Sequence, residues 1–328
     1  MSTIKNAIII GGSGQDGTLL TEYLKSKKYN IYSISNPKNL KKNSNSKLNF
    51  NILDSRSMKK LFKKIVKPEV YYLAAYHHSS EQNSIKKGIR NLFHKSLDVH
   101  VTGLINVLDA ILNENKNSKL FYASSSLVFS GSNKKLQSEN SPLDPTGAYG
   151  ISKATGNMIV KEFRDRYGLF CSTGILYNHE SGLRNKKFLT RRVIETAYRI
   201  SKGSKEKCII GNLNAQVDWG LAYDYVKIFN KILQLPKPED FIIASGKLFK
   251  VKDFVSEVFK YFSLDWKNHV TISNAALFRH TRERFGNIQK LKKYINIDTK
   301  YNLSKFVSLL ITDVLNRNHN LKSTKIKN

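Results

Sequence analysis

The stretch "IIIGGSGQDGTLL", Ile8 to Leu20, decides the fold. An apolar run, Ala7–Ile10, passes into Gly11, Gly14 and Gly17 at G-x-x-G-x-x-G spacing and then into an amphipathic segment over Leu19–Lys27. Gly11 permits a tight turn, Gly14 lets a pyrophosphate approach the backbone, and Gly17 lets a helix pack against the strand. The helix that follows offers free N–H groups and the positive end of its dipole to phosphate. Glycine spacing alone is a weak signal, but between a strand and a helix it is specific.

Outward from this point the pattern repeats. Apolar runs recur at Ile31–Ile34, Leu48–Ile52, Val70–Ala74, Leu120–Ala123 and Ser172–Leu176. Amphipathic stretches at Ser57–Val66, near Leu92–Leu112 and at Tyr149–Tyr167 separate them. Strands alternating with helices imply parallel βαβ units, and buried parallel strands show as continuous apolar runs. The expected fold is α/β, a Rossmann-type doubly wound parallel sheet with a smaller, mostly C-terminal α/β substrate domain. The dinucleotide-binding domain is assigned to 1–177 and 217–246, and the substrate domain to 178–216 and 247–328. A polar loop is expected over Asn178–Lys187, a helix over Phe188–Ile200 and a strand at Phe241–Ala244. The last eighty or so residues are expected as short helices and turns, ending in a frayed "LKSTKIKN".

The chain has 328 residues, with 55 Lys+Arg against 25 Asp+Glu and a formal net charge of +30. With 40% hydrophobic residues it can bury a sizeable core. Such a charge raises nucleic acid as a partner. The basic residues are 43 Lys and only 12 Arg, scattered along the chain, which favours a solvated lysine surface over a nucleic-acid face. Cys171 and Cys208 make no disulfide framework, so a reducing, cytoplasmic setting is expected. No apolar run approaches the roughly 20 residues needed to span a bilayer. No signal peptide is expected at the N-terminus. No ligand spacing points to a metal.

The second deciding stretch is "AYGISK", which sets Tyr149 and Lys153 at i, i+4 on one face of a helix. Upstream, "FYASSSLVFSG" ends a strand with three serines. A phenol with a pKa near 10 is a poor base at neutral pH, and a nearby ammonium group favours the phenolate. Together these motifs resemble the short-chain dehydrogenases/reductases, in the extended subclass that acts on nucleotide sugars. In that family the lysine also holds the nicotinamide ribose, and a hydroxyl that hydrogen-bonds the substrate oxygen falls on Ser125. The resemblance sharpens to the GDP-mannose 4,6-dehydratases through "GQDG" at Gly14–Gly17, "YYLAA" at Tyr71–Ala75 and "GILYNHES" at Gly174–Ser181. "FLTRR" at Phe188–Arg192, "GNLNAQVDWG" at Gly211–Gly220 and "PEDFIIASG" at Pro238–Gly246 extend it.

The resemblance implies a set of site residues. Ser125, Tyr149 and Lys153 would be catalytic. Gly11, Ser13, Gly14, Gln15, Asp16 and Gly17 would line the cofactor diphosphate, Asn51 and Ile52 the adenine, and Leu73, Ala74 and Ala75 the ribose. Leu176 joins the cofactor set, and Asn178 and His179 would stand between nicotinamide and sugar diphosphate. Leu189, Arg192 and Asn212 would hold the donor nucleotide, with His78, Ser126 and Arg279 also on the substrate side. The cofactor is expected to be NADP, with NAD possible: "ISNPKNLKK" has Ser35 and Asn36 where NAD sites carry an acid, followed by Lys38, Lys41 and Lys42. The partners implied are a GDP-linked sugar and further copies of the chain, as a dimer or tetramer.

Three positions depart from the family. Leu127 stands where the dehydratases carry a glutamate, and leucine cannot exchange a proton. Val217 stands where they carry an arginine, leaving Arg192, Arg279, Arg282 and Arg284 as candidate cations for the substrate phosphates. The paired arginines that grip NADP after the second strand are absent. His77, His78 and His179 are candidates for the missing proton chemistry. The sequence therefore implies oxidation at C4 of a GDP-sugar and leaves dehydration, 4-epimerisation and 4-ketosugar reduction open. A non-catalytic or nucleic-acid-associated Rossmann protein is the remote alternative.

Overall fold

A computed structural model describes residues 4–35, 47–76, 88–273, 283–296 and 301–323. Seven strands form one sheet: β1 (Asn6–Ile10), β2 (Asn30–Ser35), β3 (Lys47–Asn49), β4 (Glu69–Tyr72), β5 (Lys119–Ala123), β6 (Phe170–Leu176) and β7 (Phe241–Ile243). Their order is β7-β6-β5-β4-β1-β2-β3, and every neighbouring pair is parallel. The order reverses between β1 and β4, which opens a crevice beyond the carboxyl ends of the strands. This is the doubly wound α/β fold that the alternating pattern implies.

The period of two along each strand feeds two separate cores. Ala7, Ile9, Tyr71, Phe121 and Ala123 face one side, where helices α1 (Gln15–Ser26) and α7 (Ala222–Leu233) cover them with Leu20, Leu24, Val226 and Phe229. Ile8, Ile10, Val70, Tyr72, Leu120 and Tyr122 face the other. There Met58 and Phe62 of α2 (Ser55–Lys64) pack with Leu104, Val107 and Ile111. Because both faces are covered, the strands carry no polar alternation.

The second long helical stretch has a defect in it. Helix α3 (Ile89–Leu97) and helix α4 (Gly103–Glu114) are joined by a π-helical turn, Asp98–Thr102. Gly103 sits so close to the sheet that a Cβ there would stand 2.7 Å from Ile52 Cδ1 and from Tyr72 Oη. Helix α5 (Gly147–Tyr167) follows, capped by Gly168 in the left-handed region at φ +65°.

Beyond β6 the chain builds a third core. Helices α6 (Leu189–Ser201) and α8 (Val251–Tyr261) meet through Val193, Ile194, Ala197, Phe254 and Val258, with Trp219 beside them. Asn178–Glu180, expected as loop, is a short strand parallel to Trp219–Leu221. A six-residue helix, α9 (Gln289–Tyr294), brings Leu291 back to the first core along with Ile288 and Ile295. The C-terminal region departs from the expectation of short helices: α10 (Leu303–Ser323) is 21 residues long. Its Phe306, Val307, Leu310, Ile311 and Val314 form a helical stripe buried in the third core. Leu321–Ser323 of the expected frayed tail are helical, and 324–328 lie outside the described residues. Among the described residues no helix is long and apolar enough to cross a membrane.

Candidate active site

The glycines build a cradle from backbone. Gly11 has φ +96°, and a Cβ on it would lie 2.6 Å from the Ala74 nitrogen, because the turn leaving β1 presses against the chain leaving β4. A Cβ on Gly17 would lie 2.4 Å from the Gly11 carbonyl oxygen, so α1 can seat on the turn only without one. Gly14 caps α1 with no side-chain hydrogen bond, leaving the first-turn N–H groups to face outward. Gly12, which the spacing does not single out, is equally constrained: its Cβ would fall 1.8 Å from Ser33 Oγ.

From this cradle a single cavity of about 1150 Å³ runs across the strand ends to the third core. Its wall includes Gly11, Ser13, Gly14, Gln15, Asp16, Gly17, Asn51, Ile52, Leu73, Ala74 and Ala75. Ser125, Ser126, Leu127, Tyr149, Lys153, Leu176, Asn178, His179, Leu189 and Asn212 complete the sequence-derived set in the same wall. Arg192 does not line it. Its guanidinium turns to the Lys187 and Ile209 carbonyls, at 3.5 and 3.4 Å. Arg191, the other arginine of "FLTRR", is buried and structural, donating to Glu195 at 2.7 Å and to Asn318 at 2.8 Å. His77, His78, Arg279 and Arg282 lie outside the described residues, as do Asn36, Lys38, Lys41 and Lys42.

Tyr149 and Lys153 project from the first turns of α5 toward the end of β5. Ser125 hydrogen-bonds the Tyr149 phenol, and its own Oγ accepts from the Leu127 N–H at 3.2 Å. Lys153 is 1% exposed and donates to the Ala123 carbonyl at 2.6 Å. The expectation that its ammonium draws down the tyrosine pKa needs correction. Burial pushes the Tyr149 phenol well up, with Arg184 and Ser125 opposing and Asp16 reinforcing that rise. Burial likewise pushes Lys153 down to about 7, partly offset by Asp16. At both groups burial outweighs the neighbouring charges, so the spacing of the pair does not by itself lower the phenol.

His179 is engaged rather than poised as a base. Its Nδ1 lies 2.7 Å from the Tyr177 carbonyl and its Nε2 lies 3.1 and 3.0 Å from the two Asp16 oxygens. Both partners are acceptors, so both nitrogens donate and the ring is an imidazolium. Burial opposes that charge, but the Asp16 carboxylate outweighs burial and the net direction is up. Asp16 correspondingly ends below its usual range, burial being overcome by His179. Gln15 ties the same knot, donating to the His179 carbonyl at 3.1 Å and accepting from Ser181 Oγ at 2.9 Å. The knot joins the glycine cradle to the short strand that leads into the third core.

Two residues escaped the motif reading. His100, on the π-helical turn, is fully buried behind Tyr149, with the two rings edge-on at 5.1 Å. Its Nε2 accepts from the Tyr76 N–H at 3.1 Å, so Nδ1 carries the proton and donates to Ser152 Oγ at 2.7 Å. Ser152 in turn donates to the Tyr149 carbonyl at 3.1 Å. Sequence spacing marks such a histidine only as a polar break in an apolar helix. Arg184 is the second: it lines the cavity, lies 3.9 Å over the Phe188 ring and pairs with Glu180 at 3.5 Å. Glu180 also accepts from Thr190 Oγ1 at 2.6 Å.

Residues 8–316 match the sequence family described as GDP-mannose 4,6 dehydratase. GDP-mannose 4,6 dehydratase 1 of Arabidopsis thaliana is 33% identical over 334 residues, covering 95% of this chain and 90% of that protein. The GDP-mannose 4,6-dehydratase of Vibrio cholerae is 31% identical over 268 residues, covering 76% and 70%. Among solved structures, a dTDP-glucose 4,6-dehydratase from Bacillus anthracis in complex with NAD has a TM-score of 0.77 at 18% identity, covering 96% of this chain and 98% of that one. RMD from Pseudomonas aeruginosa complexed with NADPH has a TM-score of 0.77 at 15% identity, covering 95% and 100%. At those identities the two structures speak for the fold alone.

Proposed function

The chain belongs to the GDP-mannose 4,6-dehydratase family, and from that premise we propose that it binds NADP in the glycine cradle and oxidises a GDP-linked sugar at C4. The observation that carries this reading is one cavity holding both the backbone cradle and the Ser125–Tyr149–Lys153 group. The residues fit a dinucleotide. Every atom a Cβ would displace at Gly11 and Gly17 is backbone, and the capping Gly14 leaves helix N–H groups for a diphosphate. NADP is preferred to NAD because β2 ends on Ser35 with no acid to hold a ribose hydroxyl. Asn51, Ile52 and Leu73–Ala75 would hold the adenosine end, and Leu176, Asn178 and Lys153 the nicotinamide end. A nicotinamide bound there supplies a hydride acceptor.

The chain's own residues then manage the proton. Ser125 Oγ–H hydrogen-bonds the C4 oxygen and fixes it beside Tyr149. Tyr149 Oη takes the hydroxyl proton as the carbonyl forms, and the Lys153 ammonium favours the phenolate once both face a polar ligand instead of carbon. The segments 1–177 with 217–246 would serve the dinucleotide, and 178–216 with 247–328 chiefly the nucleotide sugar. The site is proposed to work in a cytoplasmic dimer or tetramer, with α4 and α5 at the interface, where Ile105, Ile151 and Met158 are exposed.

Leu127 favours a second reading. It lines the cavity beside Ser125, and of the carboxylates in the same wall Asp16 and Glu180 are already engaged by His179, Thr190 and Arg184, while Asp98 lines it from the π-helical turn. Epimerisation at C4, or reduction of a 4-ketosugar, needs no carboxylic acid at 127. Proton NMR of GDP-mannose incubated with the enzyme and NADP decides between them. A new C6 methyl doublet is the outcome for dehydration. An altered C4 proton coupling without a methyl indicates epimerisation. Unchanged GDP-mannose, with NADPH consumed on adding a 4-ketosugar, indicates reduction.

A further inference from the structure

Tyr149 stands on the weakest part of the helix that carries it. It is the third residue of α5, and the first turn of a helix lacks part of its own hydrogen-bond ladder. The preceding Thr146 gives that turn no side-chain hydrogen bond; its hydroxyl donates to Ser130 Oγ instead, at 2.8 Å. Gly147, the first residue of the helix, has φ +70°, a conformation open to glycine and costly for other residues. A proton acceptor on such a turn needs to be held from outside the helix.

On one side the hold is steric. A Cβ on Gly150 would lie 2.8 Å from the Leu127 carbonyl oxygen, so the turn packs directly on the backbone that follows Ser125. On the other side the hold is polar, and it comes from the π-helical turn Asp98–Thr102, the kind of helix defect that often marks a functional position. Tyr72 Oη fixes that turn by donating to the Val99 carbonyl, and Gly103 seats its end against the sheet. A wholly buried imidazole such as His100 costs free energy unless its nitrogens are paired. Here they are paired in one direction: the Tyr76 N–H donates to Nε2, Nδ1–H donates to Ser152 Oγ, and Ser152 Oγ–H donates to the Tyr149 carbonyl. A backbone N–H can only donate, so the order of donors cannot reverse. One imidazole thus ties the chain leaving β4 and the π-helical turn to the first turn of α5, while its ring meets the Tyr149 ring edge-on.

Resting on the reading of Tyr149 as the proton acceptor, we propose that His100 is a positioning residue for that transfer: through Ser152 it fixes the start of α5, and with it the reach of the Tyr149 hydroxyl toward Ser125. His100 is not part of the cavity wall, so its effect falls on turnover and not on binding. The test is steady-state kinetics of the full-length protein on the sugar nucleotide that the wild type converts, GDP-mannose or a 4-ketosugar, with kcat expressed per NADPH-binding site. His100→Phe keeps a ring in place and removes both nitrogens. It is expected to lower kcat about 10–100-fold, the scale of a misplacement of about 1 Å, with KM and NADPH affinity unchanged. Ser152→Ala breaks the same chain of hydrogen bonds and is expected to lower kcat in the same way; it carries the test by itself if His100→Phe does not fold. Because the two residues act as one link, combining the variants is expected to cost no more than His100→Phe alone. Unchanged kcat in either variant, a rise in KM that matches the fall in kcat, or losses that add in the double variant overturns the assignment and leaves the nucleotide-sugar reading standing. A wild-type protein that binds NADPH but converts neither substrate overturns the nucleotide-sugar reading and this inference with it.

Discussion

The two ends of the cavity are built from different materials. The cradle end is backbone: a strand, a turn without Cβ atoms and a helix start, held by contacts that a single methyl group would break. The far arm, toward the third core, is side chain: the apolar and amide walls of Leu189, Asn212 and Trp219. A backbone site fixes few residues but fixes them strictly, so it recurs as a spaced motif. A side-chain site can be rebuilt from other positions, so its chemistry can persist while its motif changes.

That contrast can be broken at several points. The largest effect is expected where the two ends meet: Tyr149→Phe should lower kcat by about 10²–10⁴-fold, the range of general acid–base catalysis, with NADPH and GDP affinities kept. Full retained turnover would sink the proton-transfer role. Next comes the core of the second lobe, where Phe254→Ala removes a fully buried ring and should cost about 3–5 kcal/mol in denaturant unfolding. Gly17→Ala sets a Cβ against the Gly11 carbonyl and should cost less stability, about 1–3 kcal/mol. It should nonetheless abolish measurable NADPH binding; a variant that binds NADPH normally would show the cradle to be more forgiving than its geometry implies.

The smallest effect concerns the knot between the two ends. The raised pKa of His179 means its contribution to stability is complete below about pH 6.5 and is lost as pH rises through the folded value. The lowered pKa of Asp16 means its contribution is complete above about pH 4 and is lost as pH falls through the folded value. His179→Gln should therefore lower stability by about 1–3 kcal/mol between those limits and progressively less in more alkaline buffer. A deficit in unfolding free energy that is flat from pH 5 to 9 would show that the histidine is not charged.

The strands, their order along the chain and the tyrosine–lysine pair were legible because each rests on local spacing. Seven apolar runs became seven parallel strands, since both faces of the sheet are covered and no polar alternation blurred them. The C-terminal helix was not legible as one piece. The stripe of α10 is apolar only in the sense that α6 and α8 are there to cover it. His100 was not legible because its partners, Tyr149 and Ser152, lie about fifty residues away in sequence; Arg184 was not, because its pairing with Glu180 and Phe188 does not show that it lines the cavity. Arg192 was assigned by motif, yet its neighbourhood turns it to the carbonyls of Lys187 and Ile209.

By itself the sequence determined the doubly wound sheet, the glycine cradle and the Tyr149–Lys153 pair, because these depend on backbone sterics and on residues a few positions apart, whereas Ser125 was named through the family resemblance. Only the tertiary structure decided the charge states. Burial lifts Tyr149 and lowers Lys153 toward 7, against what their spacing alone implies, while Asp16 keeps His179 charged. Desolvation and ion pairing depend on what surrounds a group in space, and the partners that decide them here lie as far apart as residues 16 and 179.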